Sequence, residues 1–464
     1  MDPLPFRRDV LELVGADAVT FSPDHDPDDL HDESLHQHPV EPLAVVRPST
    51  TAQVRALCAL ASRYHVPVTP RGSGTGLSGG ATPVPGGMVI SFSRMRQVLS
   101  LNTDDHVAVV QPGLTLGELN EALGPTGLCY PVYPGELSGS LGGNVNTNAG
   151  GMRAVRHGVT RHHVLGLELV LIDGSLVRTG GPVVKSSSGY DLTQLVIGSE
   201  GTLALVTEVT LKLSPSMPCS TTVLVPFADV DQVAGVVPSI VASGLEPSML
   251  EYLDVLTMAS IVKASGLELG VSPDVVSRTA AYLVVVLETR TPTQLDGDVA
   301  DLAALLLAAQ ALEVYVLGPQ AGARLIEARE RAFWVAKAAG ANDIVDVVVP
   351  RSRVPEFLSA ASRIARAHDG LVAGCGHVGD GNVHLSIFQP DVKRREALLF
   401  ELFSFALALG GQISGEHGIG RDKQSPFLAL SDPSVIELQR RIKEVFDPSH
   451  LLNPHRLLDD RPSA

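Results

Sequence analysis

Two segments of the chain carry residues with the types and spacing of a metal centre. The first, residues 376–384, reads GHVGDGNVH and holds two histidines around an Asp-Gly pair. Asp380-Gly381 between apolar residues is typical of a two-residue hairpin turn, and such a turn predicts that His377 faces His384 across two strands. Directly opposed residues have Cβ atoms about 4.5–5.5 Å apart, so both imidazoles could reach one metal ion.

The second segment offers the further ligand that a histidine pair needs. Residues 414–420 read SGEHGIG, with Glu416 and His417 side by side on a glycine-rich loop. Two histidines and one carboxylate with an open coordination position would form a catalytic rather than a structural site. The alternative for an isolated histidine pair is a stacked cross-strand contact without metal, and the residues alone favour that alternative.

Three glycine-rich segments predict a cleft for a phosphate-bearing cofactor. They read PRGSGTGLSGGA (residues 70–81), GSLGGNVNTNAGG (139–151) and IGSEGTL (197–203). Backbone of this kind presents N–H groups on a concave surface that suits an anion. Gly74, Gly76 and Gly79 match the dinucleotide fingerprint, but prolines and more glycines follow where a helix should begin, so a nicotinamide site is disfavoured. Flexible surface turns are the alternative.

The elements that would carry these segments follow from apolar periodicity. A strand at 44–46, a helix beginning near Thr50 and a strand at 66–68 predict one β-α-β unit, and Thr50 and Gln53 have capping-box spacing. The length of 464 residues favours two domains, and the proline- and serine-rich stretch 214–218 marks the boundary between them. The residues expected on the buried face of the helix are Val54, Leu57, Cys58 and Ala61.

Composition excludes some functions and limits others. The net charge of -16 and the pI near 5.3 argue against nucleic acid as a partner, so an anionic substrate would need a local cationic site. The acidic, histidine-containing run 24–33 predicts a solvated segment, with metal binding as a weaker alternative. Four widely separated cysteines indicate buried thiols in a reducing compartment. Without a transmembrane span or an apolar signal segment, we expect a cytoplasmic protein, free or peripheral to the membrane.

The glycine segments, with GYDLTQLVIGSEGTLALVTEVTLKL at 189–213, resemble the FAD-binding domain of vanillyl-alcohol-oxidase-type flavoproteins. Within that superfamily they resemble the branch that contains D-lactate and D-2-hydroxyglutarate dehydrogenases and the flavin subunit of glycolate oxidase. The resemblance implies an α+β fold in which a ferredoxin-like substrate domain is inserted before a short C-terminal segment of the FAD domain. We expect the FAD-binding domain at 1–216, the substrate domain at 217–410 and the C-terminal segment at 411–464.

The resemblance also implies which residues contact FAD. The first loop would hold the pyrophosphate, the second would run along the cofactor, and the third would lie near its ribose or adenine end. The implied residues are Arg71, Gly72, Ser73, Gly74, Thr75 and Gly76; Gly142, Gly143, Asn144, Thr147 and Gly150; and Glu200, Gly201 and Thr202. Relatives with covalent FAD often carry histidine where this chain has Thr75, so the resemblance predicts non-covalent FAD.

For the chemistry, the resemblance implies that His377, His384 and Glu416 bind a divalent metal, zinc or manganese. His417 becomes the candidate base that removes the proton of a 2-hydroxyl group while hydride leaves for the flavin. Arg329 is implied as the partner of the substrate carboxylate, although by itself it would be an ordinary surface residue of a helix.

Departures from the family pattern bear on the substrate. Phe333 and Ile344 stand where D-2-hydroxyglutarate enzymes have Thr and Lys, and Ser386 stands where the family has Asn. The distal cation for a dicarboxylate is thereby missing. D-lactate, glycolate or a longer, more apolar D-2-hydroxy acid is favoured, with D-2-hydroxyglutarate as the alternative.

The electron acceptor and the assembly stay open at this level. A quinone, an electron-transfer flavoprotein or an iron–sulfur subunit would accept the electrons, because the chain has no iron–sulfur cysteine spacing of its own. The alternatives are an O₂-using oxidase of the same fold, a metal-dependent hydrolase and a catalytically inert partner subunit. A homodimer is among the assemblies that the sequence leaves open.

Overall fold

The computed structural model describes residues 3–36 and 38–458 and shows an α+β protein. Residues 1, 2, 37 and 459–464, which the expected domains include, lie outside the described residues. The strands are β1 Val19–Phe21, β2 Ala44–Val46, β3 Val68–Arg71, β4 Met88–Ser91, β5 Val98–Asn102, β6 Val107–Val110, β7 Leu128–Cys129, β8 Val164–Val170, β9 Leu176–Gly180, β10 Leu205–Lys212, β11 Ser214–Pro215, β12 Cys219–Phe227, β13 Met249–Asp254, β14 Ala281–Thr289, β15 Tyr315–Leu317, β16 Asp343–Val348, β17 Leu371–Gly376 and β18 Asn382–Phe388. The helices are α1 Pro3–Val14, α2 Thr51–Tyr64, α3 Leu116–Leu123, α4 Leu141–Thr147, α5 Ala154–His157, α6 Leu192–Val196, α7 Val230–Ala242, α8 Val255–Ser265, α9 Pro273–Arg278, α10 Pro292–Ala308, α11 Pro319–Glu330, α12 Ala332–Ala338, α13 Val354–Ala367, α14 Val392–Ala408, α15 Gln424–Leu430 and α16 Pro433–Phe446.

The predicted β-α-β unit forms the first sheet, whose strand order is β1-β2-β4-β3. Both β2 and β3 run parallel to β4, as a helical crossover requires. The side chain of Thr50 caps α2 by accepting the N–H of Gln53 at 3.2 Å. The predicted buried face of α2 is confirmed, since Val54, Leu57 and Ala61 are fully buried together with Cys58.

A second, antiparallel sheet has the order β5-β6-β10-β8-β9, and α3 and α4 pack in its core. The C-terminal segment returns to both sheets. Leu452 bridges to Val68, and the amide of Asn453 donates to the carbonyls of Gly80 (2.9 Å) and Glu200 (2.8 Å). The last part of the chain therefore joins the first and third glycine loops.

The third sheet is antiparallel, with seven strands in the order β15-β12-β14-β13-β17-β18-β16. Its first four strands, with α7 and α10, have the connectivity of the predicted ferredoxin-like unit. The succession β16-α13-β17-β18-α14 repeats most of that unit, and the two halves meet where β13 pairs with β17. The substrate region is therefore larger than the single ferredoxin-like unit that was expected.

Helices cover both faces of this sheet. One face packs against α7, α10, α13 and α14, and the opposite face packs against α8, α11 and α12. The second face carries the candidate site described below. Among the residues that the structure describes, no helix is both long and apolar enough to cross a membrane.

The prediction of a solvated acidic segment at 24–33 is wrong for its second half. Asp29 and Asp32 are only 8% and 3% exposed. The carboxylate of Asp29 pairs with Arg47, and that of Asp32 accepts the N–H of Ala81 at 3.2 Å and the hydroxyl of Thr82 at 3.4 Å. The acidic side chains are buried because their partners come from the first glycine loop and its surroundings, which composition cannot reveal.

Candidate active site

The histidine hairpin forms, but its register differs from the prediction. Strand β17 ends at Gly376 and β18 begins at Asn382, so the loop has five residues and His384 pairs with Cys375 rather than with His377. The carbonyl of His377 accepts the N–H groups of Asp380 and Asn382, which forms a wider turn. Gly381 adopts φ +91°, and a Cβ there would lie 2.0 Å from the carbonyl oxygen of Val349. The imidazoles of His377 and His384 nevertheless meet, with ring centroids 4.9 Å apart.

Three imidazoles converge on one carboxylate oxygen. Glu416 Oε1 lies 3.2 Å from Nε2 of His377, 3.2 Å from Nε2 of His384 and 3.9 Å from Nε2 of His417. Two ligands that each lie about 2.0–2.1 Å from a tetrahedral zinc ion are about 3.3 Å apart, close to the first two distances. The Nε2 atoms of His377 and His384 thus each lie at ligand spacing from Glu416 Oε1.

The burial of Glu416 also suits a cation. Its second oxygen, Oε2, is buried and finds no hydrogen-bond partner among the described residues. Burial alone would raise the pKa of this carboxyl group, but the imidazoles of His377 and His384 outweigh burial and hold the pKa well below its usual range. A buried anion with an unpartnered oxygen beside two imidazoles fits a divalent ion such as zinc or manganese.

Asp346 on β16 is a site residue that the sequence analysis missed. It is fully buried, and its Oδ2 accepts the N–H groups of Glu416 (3.1 Å) and His417 (2.8 Å) and the hydroxyl of Ser414 (2.7 Å). Its Oδ1 accepts from Asn382 Nδ2 at 2.9 Å. One carboxylate therefore holds the Glu416–His417 loop against β18. Among the described residues, the cluster whose ligand atoms all lie within 4.8 Å of one another consists of Asp346, His384, Glu416 and His417. The predicted ligand His377 is not part of that cluster.

Charges around Asp346 determine the protonation of the site. Burial alone would raise the pKa of Asp346, but His417, Lys423 and His384 together lower it. Lys423 is itself buried, with Nζ 3.8 Å from Asp346 Oδ2. Burial lowers the pKa of His417 to about 4, and Lys423 acts in the same direction while Asp346 opposes it. The imidazole of His417 is therefore neutral near pH 7 and able to accept a proton.

Glu251 on β13 is a second missed residue, and it links two predicted ones. Its Oε1 accepts from Nδ1 of His377 at 2.6 Å, and its Oε2 lies 2.9 Å from Nη2 of Arg329. Nε2 of the same imidazole faces Glu416 Oε1 at 3.2 Å, so His377 lies between two carboxylates. Burial alone would lower the pKa of His377, but Glu251 and Glu416 outweigh burial and hold that pKa well above its usual value. A metal ion on Nε2 would take the place of the proton that faces Glu416. The available signal for Glu251 and Asp346 was a charged residue inside an otherwise apolar strand.

The three glycine loops line one cleft of about 1260 Å³, open to solvent, which we call the cofactor cleft. All the predicted cofactor residues line it except Thr202, whose hydroxyl donates to the carbonyl of Ser199 at 2.7 Å. The first two loops approach so closely that a Cβ on Gly72 would lie 2.0 Å from Oγ of Ser140. The cleft is thus lined largely by backbone, as a long phosphate-bearing cofactor requires.

The charged groups of two predicted cofactor residues bind other parts of the protein. The guanidinium of Arg71 donates to the carbonyls of His31 (2.7 Å) and Asp28, so it anchors the N-terminal segment. Glu200 accepts the N–H groups of Ile419 (2.7 Å) and Gly420 (2.6 Å) through its carboxylate. The side chain of Glu200 therefore supports the loop that carries Glu416 and His417.

A second cavity of about 1090 Å³ adjoins the cofactor cleft, and we call it the inner chamber. Thr75, Glu416 and His417 line both cavities, so the candidate metal and base positions lie at their junction. Arg329 lines the chamber and is 8% exposed, and its Nε has no hydrogen-bond partner in the described part of the chain. An anion in the chamber could bind this guanidinium.

The cofactor cleft meets a buried histidine–carboxylate cluster, and the families that the chain matches identify this pair of features as a FAD-linked oxidoreductase. The chain belongs to the family of FAD-linked oxidases: residues 42–180 match its FAD-binding domain and residues 218–457 match the C-terminal domain of FAD-linked oxidases. The predicted branch and enzyme class are confirmed, and the hydrolase alternative is set aside.

Relatives support the same branch over nearly the whole chain. The chain is 35% identical to the glycolate oxidase subunit GlcD of Bacillus subtilis, covering 92% of this chain and 91% of the relative. It is 35% identical to the D-lactate dehydrogenase of Archaeoglobus fulgidus, covering 90% and 92%. An uncharacterised FAD-linked oxidoreductase of Mycobacterium tuberculosis is 52% identical, covering 97% and 98%.

Solved structures confirm the fold class. p-Cresol methylhydroxylase matches with a TM-score of 0.78 at 17% identity, covering 98% of this chain and 97% of the other. The 4-ethylphenol oxidase from Gulosibacter chungangensis also matches with a TM-score of 0.78 at 17% identity, covering 99% and 98%. The predicted vanillyl-alcohol-oxidase-type fold is therefore the fold of this protein.

Proposed function

We propose that this protein oxidises a D-2-hydroxy acid to the 2-oxo acid and passes the electrons to a separate acceptor. The observation that carries the proposal is the junction of the cofactor cleft with the inner chamber at Glu416 and His417. A substrate in the chamber would there meet the cofactor, a metal position and a neutral imidazole at once. The names of the relatives, D-lactate dehydrogenase and glycolate oxidase subunit, support this substrate class.

Bound FAD would supply the hydride acceptor, and a divalent ion on His377, His384 and Glu416 would supply the Lewis acid that makes the substrate hydroxyl acidic. His417 accepts the hydroxyl proton, because burial keeps its imidazole neutral. Asp346 holds the backbone N–H of His417 and so fixes the loop that presents the base.

Arg329 binds the substrate carboxylate in this proposal. It is the one chamber-lining arginine or lysine among residues 3–36 and 38–458, and its Nε lacks a partner there. Glu251 Oε2 forms an ion pair with Arg329 Nη2 at 2.9 Å, which links the guanidinium to the carboxylate that also binds His377. Carboxylate and C2 of the substrate would then be positioned by one connected network.

We propose non-covalent FAD, since Thr75 rather than histidine occupies this position of the first glycine loop and lines the cofactor cleft. Flavin should therefore remain in the supernatant after acid precipitation of the protein. The electrons would leave to a quinone, an electron-transfer flavoprotein or an iron–sulfur subunit. The four cysteines are free and far apart, and the relative GlcD is by name a subunit of glycolate oxidase.

The test is anaerobic mixing of the yellow holoprotein with D- and L-2-hydroxy acids while flavin bleaching is followed. We expect D enantiomers to reduce the flavin and chelator-treated protein to lose that reaction. His417→Asn should keep FAD and metal but slow flavin reduction by about 10²- to 10⁴-fold. His65→Asn is the matched control, because His65 is exposed at the end of α2 in a left-handed conformation that Asn tolerates.

Unchanged flavin reduction in His417→Asn would exclude the proposed base. Reduction by L enantiomers alone would overturn the proposed stereochemistry. Peroxide formation at the rate of substrate oxidation in air would identify an O₂-using oxidase instead of a dehydrogenase.

A further inference from the structure

Three neighbouring strands form the floor of the inner chamber, and their side chains become less polar from one row to the next. Side chains two residues apart on a strand share a face, and directly opposed residues share that face too. Across β16, β18 and β17, the first row is Asp346, His384 and Cys375, the second is Ile344, Ser386 and Ala373, and the third is Phe388 with Leu371.

The rise per residue of a strand gives the distance between these rows. Each row lies two residues beyond the previous one, which is about 7 Å at the usual strand rise. A substrate whose C2 lies beside His384 would therefore extend its substituent over Ile344 and Ala373 within about 7 Å, and Phe388 lies another step farther. The ionisable side chains are confined to the first row. The second row holds one polar group, the hydroxyl of Ser386.

One wall of the chamber is apolar. Phe333 and Trp334 from α12 contact each other edge to face, with ring centroids 5.2 Å apart, and Ile261 from α8 lines the chamber too. Lys337 lies over both rings, at 5.8 Å and 5.1 Å, and its ammonium pairs with Glu33 at 2.9 Å. The aromatic wall is thus fixed from outside by an N-terminal residue.

Charge in the chamber opposes a second carboxylate on the substrate. Within the described part of the chain, Arg329 is the one arginine or lysine that lines the chamber, whereas Glu136 and Glu330 also line it. A substrate dianion would leave its distal carboxylate over Ile344 and Ala373, without a compensating cation among the described residues that line the chamber.

We infer that the substrate carries at C2 an apolar substituent larger than methyl, a branched alkyl group or an aromatic ring, which lies over Ile344 and Ala373 toward Phe388. This inference rests on the proposed function, because it takes the C2 hydroxyl to lie beside His384 and His417 and the carboxylate to bind Arg329. Each additional buried methylene increases binding by about fourfold.

The test measures anaerobic flavin reduction in the holoprotein with D-lactate, D-2-hydroxyisocaproate, D-phenyllactate and D-2-hydroxyglutarate. D-2-hydroxyisocaproate has three more carbon atoms than D-lactate, so we expect its reduction rate constant divided by Kd to be roughly 10- to 50-fold higher. D-phenyllactate should exceed D-lactate as well, and D-2-hydroxyglutarate should be the poorest of the four.

A substitution at Ala373 tests whether the substituent lies over the second row. Ala373→Phe fills that row, and the ratio of D-2-hydroxyisocaproate to D-lactate should fall at least tenfold. Ala338→Phe is the matched control, since Ala338 is exposed at the end of α12 and does not line the chamber; it should keep the wild-type ratio.

The outcomes separate this inference from the proposed function. If D-lactate or D-2-hydroxyglutarate reduces the flavin best, the inference is overturned while the proposed function stands. A wild-type preference for long apolar acids that Ala373→Phe leaves unchanged also overturns the placement over the second row. If no D-2-hydroxy acid reduces the flavin, the proposed function fails and the inference fails with it.

Discussion

Replacing Glu251 with Gln tests the network that orients the metal position. Glu251 is fully buried, receives the Nδ1 proton of His377 at 2.6 Å and holds Arg329 at 2.9 Å. Glu251→Gln preserves the shape of the side chain but removes its charge. The imidazole of His377 then loses the anion that fixes its tautomer and increases the basicity of Nε2.

The expected size follows from these contacts. Loss of a hydrogen-bonded carboxylate behind a ligating histidine weakens metal binding by about 10- to 100-fold, which is about 1.4–2.8 kcal/mol. The buried guanidinium of Arg329 also loses its counter-charge, so the free energy of unfolding should fall by about 3–5 kcal/mol. Stability and metal affinity are therefore expected to change together.

Metal affinity is measured by competition with a chelator of known affinity, together with the metal content of the purified protein. Urea unfolding of the metal-free protein gives the stability change. Glu288→Gln is the matched control, because Glu288 lies on β14 in the same sheet and pairs with Arg153 at 2.9 Å, away from the histidines. A folded Glu251→Gln protein that binds metal within twofold of wild type would refute the proposed role of Glu251.

Three further predictions concern pH, specificity and stability. Because burial lowers the pKa of His417 to about 4, the rate of flavin reduction should stay constant from pH 8 to 5 and fall only as the imidazole is protonated near pH 4. A fall in the rate near pH 6.5, measured by anaerobic stopped-flow, would contradict this. Ile344→Lys places a cation on the second row and should raise the rate of flavin reduction by D-2-hydroxyglutarate, relative to that by D-lactate, about tenfold or more. An unchanged ratio of these rates in the same assay would show that Ile344 does not face the substituent. Asp346→Asn leaves Lys423 buried without its anion 3.8 Å away and should lower the free energy of unfolding by about 3–5 kcal/mol; a loss below about 1 kcal/mol in urea unfolding would show that this pair is not a main stabilising contact.

Local spacing in the sequence determined the elements and the clustering of the glycine loops. The helix from Thr51 to Tyr64, its buried face and its threonine cap depend on contacts within a few residues, which periodicity records directly. The glycine segments likewise predicted a backbone-lined cleft, because three such segments together would present many backbone N–H groups to one anionic cofactor. His377, His384, Glu416 and His417 were recognised as candidates by residue type.

Tertiary structure alone decided how these residues are held. The hairpin register shifted because Asp380 and Gly381 form part of a five-residue loop rather than a two-residue turn. The guanidinium of Arg71 donates to carbonyls of residues 28 and 31, so a residue that lines the cofactor cleft also anchors the N-terminal segment.

The roles of Asp346 and Glu251 could not be predicted from the sequence either. Each lies in a strand, and each acts on groups that are 36 to 126 residues away along the chain. The sequence marks each only as a charge among apolar neighbours. Whether such a charge is satisfied, and by which imidazole or backbone N–H, depends on which strands pair and which loop returns to them, and only the folded chain determines that pairing.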